Sequence, residues 1–235
     1  MPVEKNDVNV DRLFAWSRES SIIGKDGKEM KIFLRLLGDA DINRARVLSL
    51  RKSAELRKAL KTENSDERLA YIPSRDELNK DILQSSVVAL TMRELTQQVI
   101  RDIVVKRPKD PSSDATTEEL EKYQKEVDEY PAKRDVAIRA ELEKLVNRRK
   151  DELEKESEDN LYGMYLSALI KELCEQELLK RFKEYCVFFG TYTDKKLTKR
   201  LFTDFNEFDN IPSGLKEKLI TEYSLIEIES EELKK

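Results

Sequence analysis

Three cations, Arg44, Arg51 and Lys58, recur at seven-residue spacing, and on a helix that spacing lays them along one line. A line of fixed positive charge can meet a carboxylate-rich protein face or a phosphate, and it can equally be the solvated side of a helix. Little else in the chain has the spacing that chemistry requires. There is no histidine in 235 residues, which removes the commonest general base, the commonest zinc ligand and the usual pH switch together. Cys174 and Cys186 lie in one helical stretch, too far apart along a rigid helix to reach disulfide geometry, and are expected to be core thiols. The motif of a P-loop, a dinucleotide-binding loop, a nucleophile elbow, a Cys-x-x-Cys pair or a calcium loop does not occur. Carboxylates are abundant, yet helix-borne di-metal sites of the ferritin type draw on Glu-x-x-His, which this chain cannot supply. The Glu-rich faces read instead as solvent-exposed and interleaved with Lys and Arg. No catalytic, cofactor-binding or metal-ligating residue is therefore expected, and no enzyme.

The elements that would carry the cations follow from the apolar pattern. Charged residues make up 39%, as much as the whole hydrophobic class, while Gly and Pro number six each. That is the profile of a long-helix protein rather than of a sheet protein. The expected fold is mainly α, a helical bundle with a small N-terminal β-hairpin and a protruding charged helical arm. The β signal is local. Ser21 to Ile23 and Met30 to Leu36 flank a Gly-Lys-Asp-Gly-Lys turn, and Ile32, Leu34 and Leu36 alternate with Lys31, Phe33 and Arg35, which reads as a hairpin. A lone hairpin is marginal, so its Ile/Leu face needs cover from helices or from another chain's strand. Ile32, Leu34 and Leu36 are thus candidate partner-binding residues alongside Arg44, Arg51 and Lys58. Before the hairpin stands a loose aromatic cluster of Leu13, Phe14 and Trp16 without a clear period.

Gly38 to Asp41 open a helix running to about Lys61, with Ile42, Ala45, Leu48, Leu56, Ala59 and Leu60 on one face and the basic line on the opposite side. After a polar break and Pro73, a second helix is expected from Ser74 to near Arg107, carrying Leu78, Ile82, Leu83, Val88, Met92, Leu95, Val99 and Ile103. Residues 1–107 form the N-terminal unit and 108–117, rich in Pro and small polar residues, form a linker. Residues 118–158 read as a charged helical arm interrupted or kinked at Pro131, and 159–235 as a C-terminal helical unit packed on the N-terminal helices. Within that unit 161–192 is the most apolar stretch, followed by helices over roughly 194–206 and 213–229, the second capped by Ser213.

Charge narrows the partners. Residues 1–107 hold 21 Lys/Arg against 17 Asp/Glu and the remainder 23 against 31, for a net of −4 and a pI near 5.4. A nucleic-acid binder ordinarily shows a concentrated basic face and a basic pI, so nucleic acid is not the expected partner. The N-terminal residues carry no apolar targeting segment and the longest apolar runs, such as Val87 to Leu90, are short, so neither secretion nor a membrane span is expected. A reducing cytoplasm fits the cysteine usage.

The stretch Met30-Lys31-Ile32-Phe33-Leu34-Arg35-Leu36-Leu37-Gly38-Asp39-Ala40-Asp41-Ile42-Asn43-Arg44-Ala45-Arg46 joins a strand ending Leu-Arg-x-Leu to a short acidic turn and an Ala/Arg-rich helix. It resembles the opening of tail assembly chaperones of tailed bacteriophages, over about 45 residues from Ile22 to Ala59 and a few on each side. The long segment 118–158 departs from the compact form of that family. The resemblance implies a non-enzymatic protein of the host cytoplasm that coats the tape-measure protein, recruits tail-tube subunits and is absent from the finished virion. It needs no cofactor, and a homo-oligomer is a further expectation. The rival reading is a structural or scaffolding component of the virion, a helical subunit retained in the particle.

Overall fold

Ser17–Ile23 (β1) and Glu29–Arg35 (β2) pair antiparallel, Ser20 opposite Ile32 and Arg18 opposite Leu34, as the alternation of Ile32 and Leu34 with Lys31, Phe33 and Arg35 leads one to expect. The chain is seen here in a computed structural model that describes residues 17–23, 27–112 and 115–232, with side chains through Ile228. Leu13, Phe14 and Trp16, most of the expected turn, and Ser113 and Asp114 of the expected linker lie outside the described residues. Gly27 closes the hairpin at φ +74°, a left-handed conformation that glycine adopts without a Cβ penalty.

The fold is mainly α with this small sheet. Asp39–Lys61 (α1), Asp66–Tyr71 (α2), Lys80–Asp102 (α3), Thr117–Glu154 (α4) and Glu158–Gly190 (α5) precede a third strand, Thr191–Tyr192 (β3), and the helices Phe205–Asp209 (α6) and Ser213–Glu232 (α7). β3 pairs antiparallel with β2, Phe33 opposite Tyr192. The chain divides into two compact units, one of Met1–Ala59 with Leu173–Lys235 and one of Leu60–Glu172. The division falls inside α1 and α5, and so differs from the expected linear order of a unit, a linker at 108–117, an arm and a second unit. A continuous helix conceals a domain boundary from any reading that looks for polar linkers.

The first unit is built around one cluster. Ile22, Ile32 and Leu34 of the hairpin and Ala45 of α1 join Tyr185 to Phe189 of α5, with Phe202, Phe208, Leu219, Tyr223 and Ile226. Tyr185 stacks on Phe205 with ring centroids 4.1 Å apart, and Phe202 meets Phe208 edge to face at 5.2 Å, the offset arrangements that aromatic quadrupoles favour. Cys186 and Cys174 are buried free thiols, as expected. The expected helix at 194–206 does not form. The Asp194 carboxylate instead accepts the backbone N–H groups of Thr198 and Lys199, Leu197 takes a φ of +57° and Tyr192 bridges Arg200. An acidic side chain that satisfies its own loop's amides competes directly with the helical ladder. Ser213 is the first residue of α7 rather than its cap, the Pro212 carbonyl accepting from Leu215 and Lys216.

The second unit packs α3, α4 and the start of α5 through Leu83, Val87, Val88, Leu153, Leu161 and Tyr165. The expected partnership of the 161 region with the helix after Pro73 holds for this part of α5. That helix begins at Lys80 rather than Ser74: Ser74 caps a short 3-10 turn at Arg75–Glu77, and Asn79 caps α3 by accepting from Ile82. It ends at Asp102, short of Arg107. The polar break itself holds α2, capped by Ser65. The segment expected as an interrupted arm is one helix, α4, which runs through Pro131 and lies antiparallel to α3: Lys80 and Gln84 donate side-chain hydrogen bonds to the carbonyls of Glu154 and Leu153. Pro131 forgoes one ladder bond at an exposed position, where water can satisfy the freed carbonyl. No helix among the described residues is long and apolar enough to cross a membrane.

Candidate partner-binding surface

α1 presents two faces of different character. It opens with Asp39 and Asp41 in its first turn, where acids complement the helix dipole. On its inner side Ala45 and Ser49 are buried, Ile42 and Leu48 pack on the aromatic cluster, and the Ser53 hydroxyl donates to the Cys174 carbonyl at 2.7 Å. The inner arc is the one the apolar spacing predicts. The outer side carries Arg44, Arg51 and Lys58, all exposed, so the basic line stands where the helical wheel puts it.

The outer face also holds apolar groups that the line of cations alone does not reveal. Val47 is 49% and Leu50 50% exposed, and Ala54 is exposed with them. Val47, Arg51, Ala54 and Lys58 step by three and four residues, so they share one side of the helix. The signal was available in the sequence, since Val47 and Leu50 fall outside the apolar arc. From Arg44 to Lys58 six cations accompany one carboxylate, Glu55. The Lys52 ammonium takes that carboxylate at 2.8 Å, and this hydrogen bond holds Lys52 above its ordinary pKa.

Arg44 is further ordered from below. Its guanidinium carbon lies 4.9 Å from the centroid of the buried Phe189 ring, and that of Arg200 lies 5.1 Å from the same ring, within cation–π range. Arg200 in turn stands 3.7 Å from the Asp41 carboxylate. The first cation of the line is thereby held over an aromatic floor instead of sweeping through solvent.

The strand residues fare differently. Ile32 and Leu34 are 0% exposed, and Leu36 packs half-buried against the same cluster. The cover that the strand face demands comes from this chain's own α5 and α7. Their assignment as partner-binding residues is corrected accordingly: they are core, and a partner has no access to Ile32 or Leu34.

Sequence reasoning also passed over a charged cluster at the foot of α5. Arg181 donates to Glu177, Glu184 and Asp209 at 2.8 to 2.9 Å, and Lys216 reaches Asp209 at 3.1 Å. These groups pair with one another and tie α5 to α6 and α7, which is a structural task. Among the described residues no group of three or more metal-ligating side chains comes together. No family model matches the chain, and no curated protein or solved structure matches it either.

Proposed function

We propose that the chain is a non-enzymatic assembly chaperone of the tail-assembly kind, whose α1 outer face grips a helical, acidic stretch of a long client. In the setting that the N-terminal resemblance implies, the client is the tape-measure protein, tail-tube subunits are recruited to the complex, and the work is done in the host cytoplasm. The observation that carries this reading is the coincidence on one helix face of half-exposed Val47 and Leu50 with Arg44, Arg51 and Lys58. Apolar groups supply contact area and the flanking cations choose the sign of the partner, the division of labour usual at helix-in-groove contacts. A client with uncovered apolar seams needs such a partner to stay in solution.

The test is co-purification of the chain with a co-expressed tape-measure protein, for the wild type and for Arg44→Glu/Arg51→Glu/Lys58→Glu. Normal circular dichroism with weakened, salt-sensitive association supports the reading; unchanged association makes the line a solvated face. Mass spectrometry of purified particles decides the remaining question, because a chaperone leaves the assembly and a scaffolding subunit stays in stoichiometric amount.

A further inference from the structure

In the second unit, the stretch that follows α3 belongs to no helix or strand and carries a basic rim. Ile103 leaves the helix in extended conformation, φ −73° and ψ 126°, and the proline rings of Pro108 and Pro111 bias the residues before them, Arg107 and Asp110, toward extended backbone. The stretch runs antiparallel to α4: Tyr130 Oη donates to the Val105 carbonyl at 3.4 Å and Tyr123 Oη to the Asp110 carboxylate at 2.6 Å. Among the described residues the N–H groups of Val104, Val105, Lys106, Arg107 and Lys109 donate no hydrogen bond.

The side chains fit the same occupant. Val104 is 88% exposed, a β-branched residue left in water beside unpaired amides. A concavity of about 640 Å³ between this stretch and α4 is lined by Lys106, Arg107, Lys109, Lys133, Glu126 and Tyr130. Lys133 is shared with Glu129 at 2.8 Å, but Lys106, Arg107 and Lys109 form no ion pair with a carboxylate among the described residues.

We propose that Val104 to Lys109 receives an acidic, extended peptide segment of a partner protein by strand addition. The peptide's backbone pairs with Val104 and Lys106, and its carboxylates meet Lys106, Arg107 and Lys109. Pro108 has no N–H and ends the pairing, so the added strand is short and its sequence preference rests on charge. A nucleic-acid strand would use the cations but leave the open amides and Val104 without a match, and the peptide is therefore the occupant that all three features share.

The probe is a fluorescein-labelled peptide alternating Glu and Val, titrated with the full-length protein and followed by anisotropy. Binding that weakens by roughly tenfold in Lys106→Glu/Arg107→Glu, with unchanged circular dichroism, is expected, together with a similar loss when alternate amides of the peptide are N-methylated. Equal binding of the N-methylated peptide overturns strand addition in favour of plain charge attraction. Tighter binding of a short oligothymidylate than of the peptide overturns the peptide as occupant, and so does a flat titration. The Arg44→Glu/Arg51→Glu/Lys58→Glu protein serves as a control, since retained peptide binding there separates this surface from the α1 face.

Discussion

The Glu184 carboxylate, 1% exposed, lies 2.9 Å from Nη1 of Arg181. A carboxylate at that depth is tolerable only while its charge is matched. Burial opposes the guanidinium charge as well, but hydrogen bonds to Glu177 and Asp209 and the nearby carboxylates outweigh it and hold Arg181 above the usual arginine range. Arg181→Met keeps most of the stem's packing and leaves Glu184 facing only Lys216, 3.9 Å away. The expected loss is about 3 kcal/mol in denaturant-melt stability, and Arg181→Met/Glu184→Leu should recover a good part of it. A single-variant cost under about 1 kcal/mol would show that water reaches Glu184.

Alkali should weaken the first unit. Burial pushes the Cys186 thiol up to about 12 and also raises the Tyr223 phenol. In the unfolded chain these groups lose their protons at about pH 8.5 and about pH 10, while in the fold they keep them. The folded state therefore binds more protons across that window, and stability falls as pH rises through it. Melting temperature should drop from about pH 8.5 upward, the Cys186 contribution running to about pH 12, and Cys186→Val should flatten the decline near its start. A profile that Cys186→Val leaves unaltered would mean that the thiol is not the group being titrated.

Gly190 ends α5 where no other residue fits. A Cβ there would stand 2.7 Å from the Arg35 carbonyl oxygen and 2.8 Å from Cε2 of Tyr223. The Tyr223 ring is itself fixed, its hydroxyl accepting from the Leu37 N–H at 3.3 Å, and Arg35 belongs to β2. Gly190→Ala should cost about 1–3 kcal/mol through overpacking, despite alanine's better helix propensity. Gly163→Ala, with nothing near its Cβ position, should stabilise or be neutral, and equal effects at both glycines would remove the steric account.

The contrast between these sites shows what the sequence made legible. The hairpin is readable because Ile32 and Leu34 alternate with Lys31, Phe33 and Arg35 around a Gly-rich turn, all of it local information. α1 is readable because its apolar arc and its basic line each keep the helical period. β3 is not, since two residues, Thr191 and Tyr192, carry no period and are recruited by a strand far away in sequence. The failed helix after it turns on Asp194 and Leu197, a side-chain cap and one left-handed residue, which average propensity overlooks. On the α1 face the cations are legible through their seven-residue spacing, whereas Val47 and Leu50 are two apolar residues among charges and carry no period of their own.

Paired substitutions on the hairpin test which side of β1 and β2 the core covers. Leu34 is 0% exposed and Ile23, one strand away, is 70% exposed. An aspartate at the first position must either bury a charge without a partner or take up a proton, and both cost free energy. Leu34→Asp should therefore destabilise the protein by about 3 kcal/mol or more, or prevent folding at 37 °C outright. Ile23→Asp leaves its charge in water near the hairpin's turn and should shift the denaturation midpoint by no more than about 0.5 kcal/mol. Chemical denaturation followed by tyrosine fluorescence reads both, because Tyr185, Tyr192 and Tyr223 sit in the same cluster or beside it. An insensitive Leu34 would place the strand face in solvent and return Ile32, Leu34 and Leu36 to the list of partner contacts; a sensitive Ile23 would mean that something covers the hairpin's end.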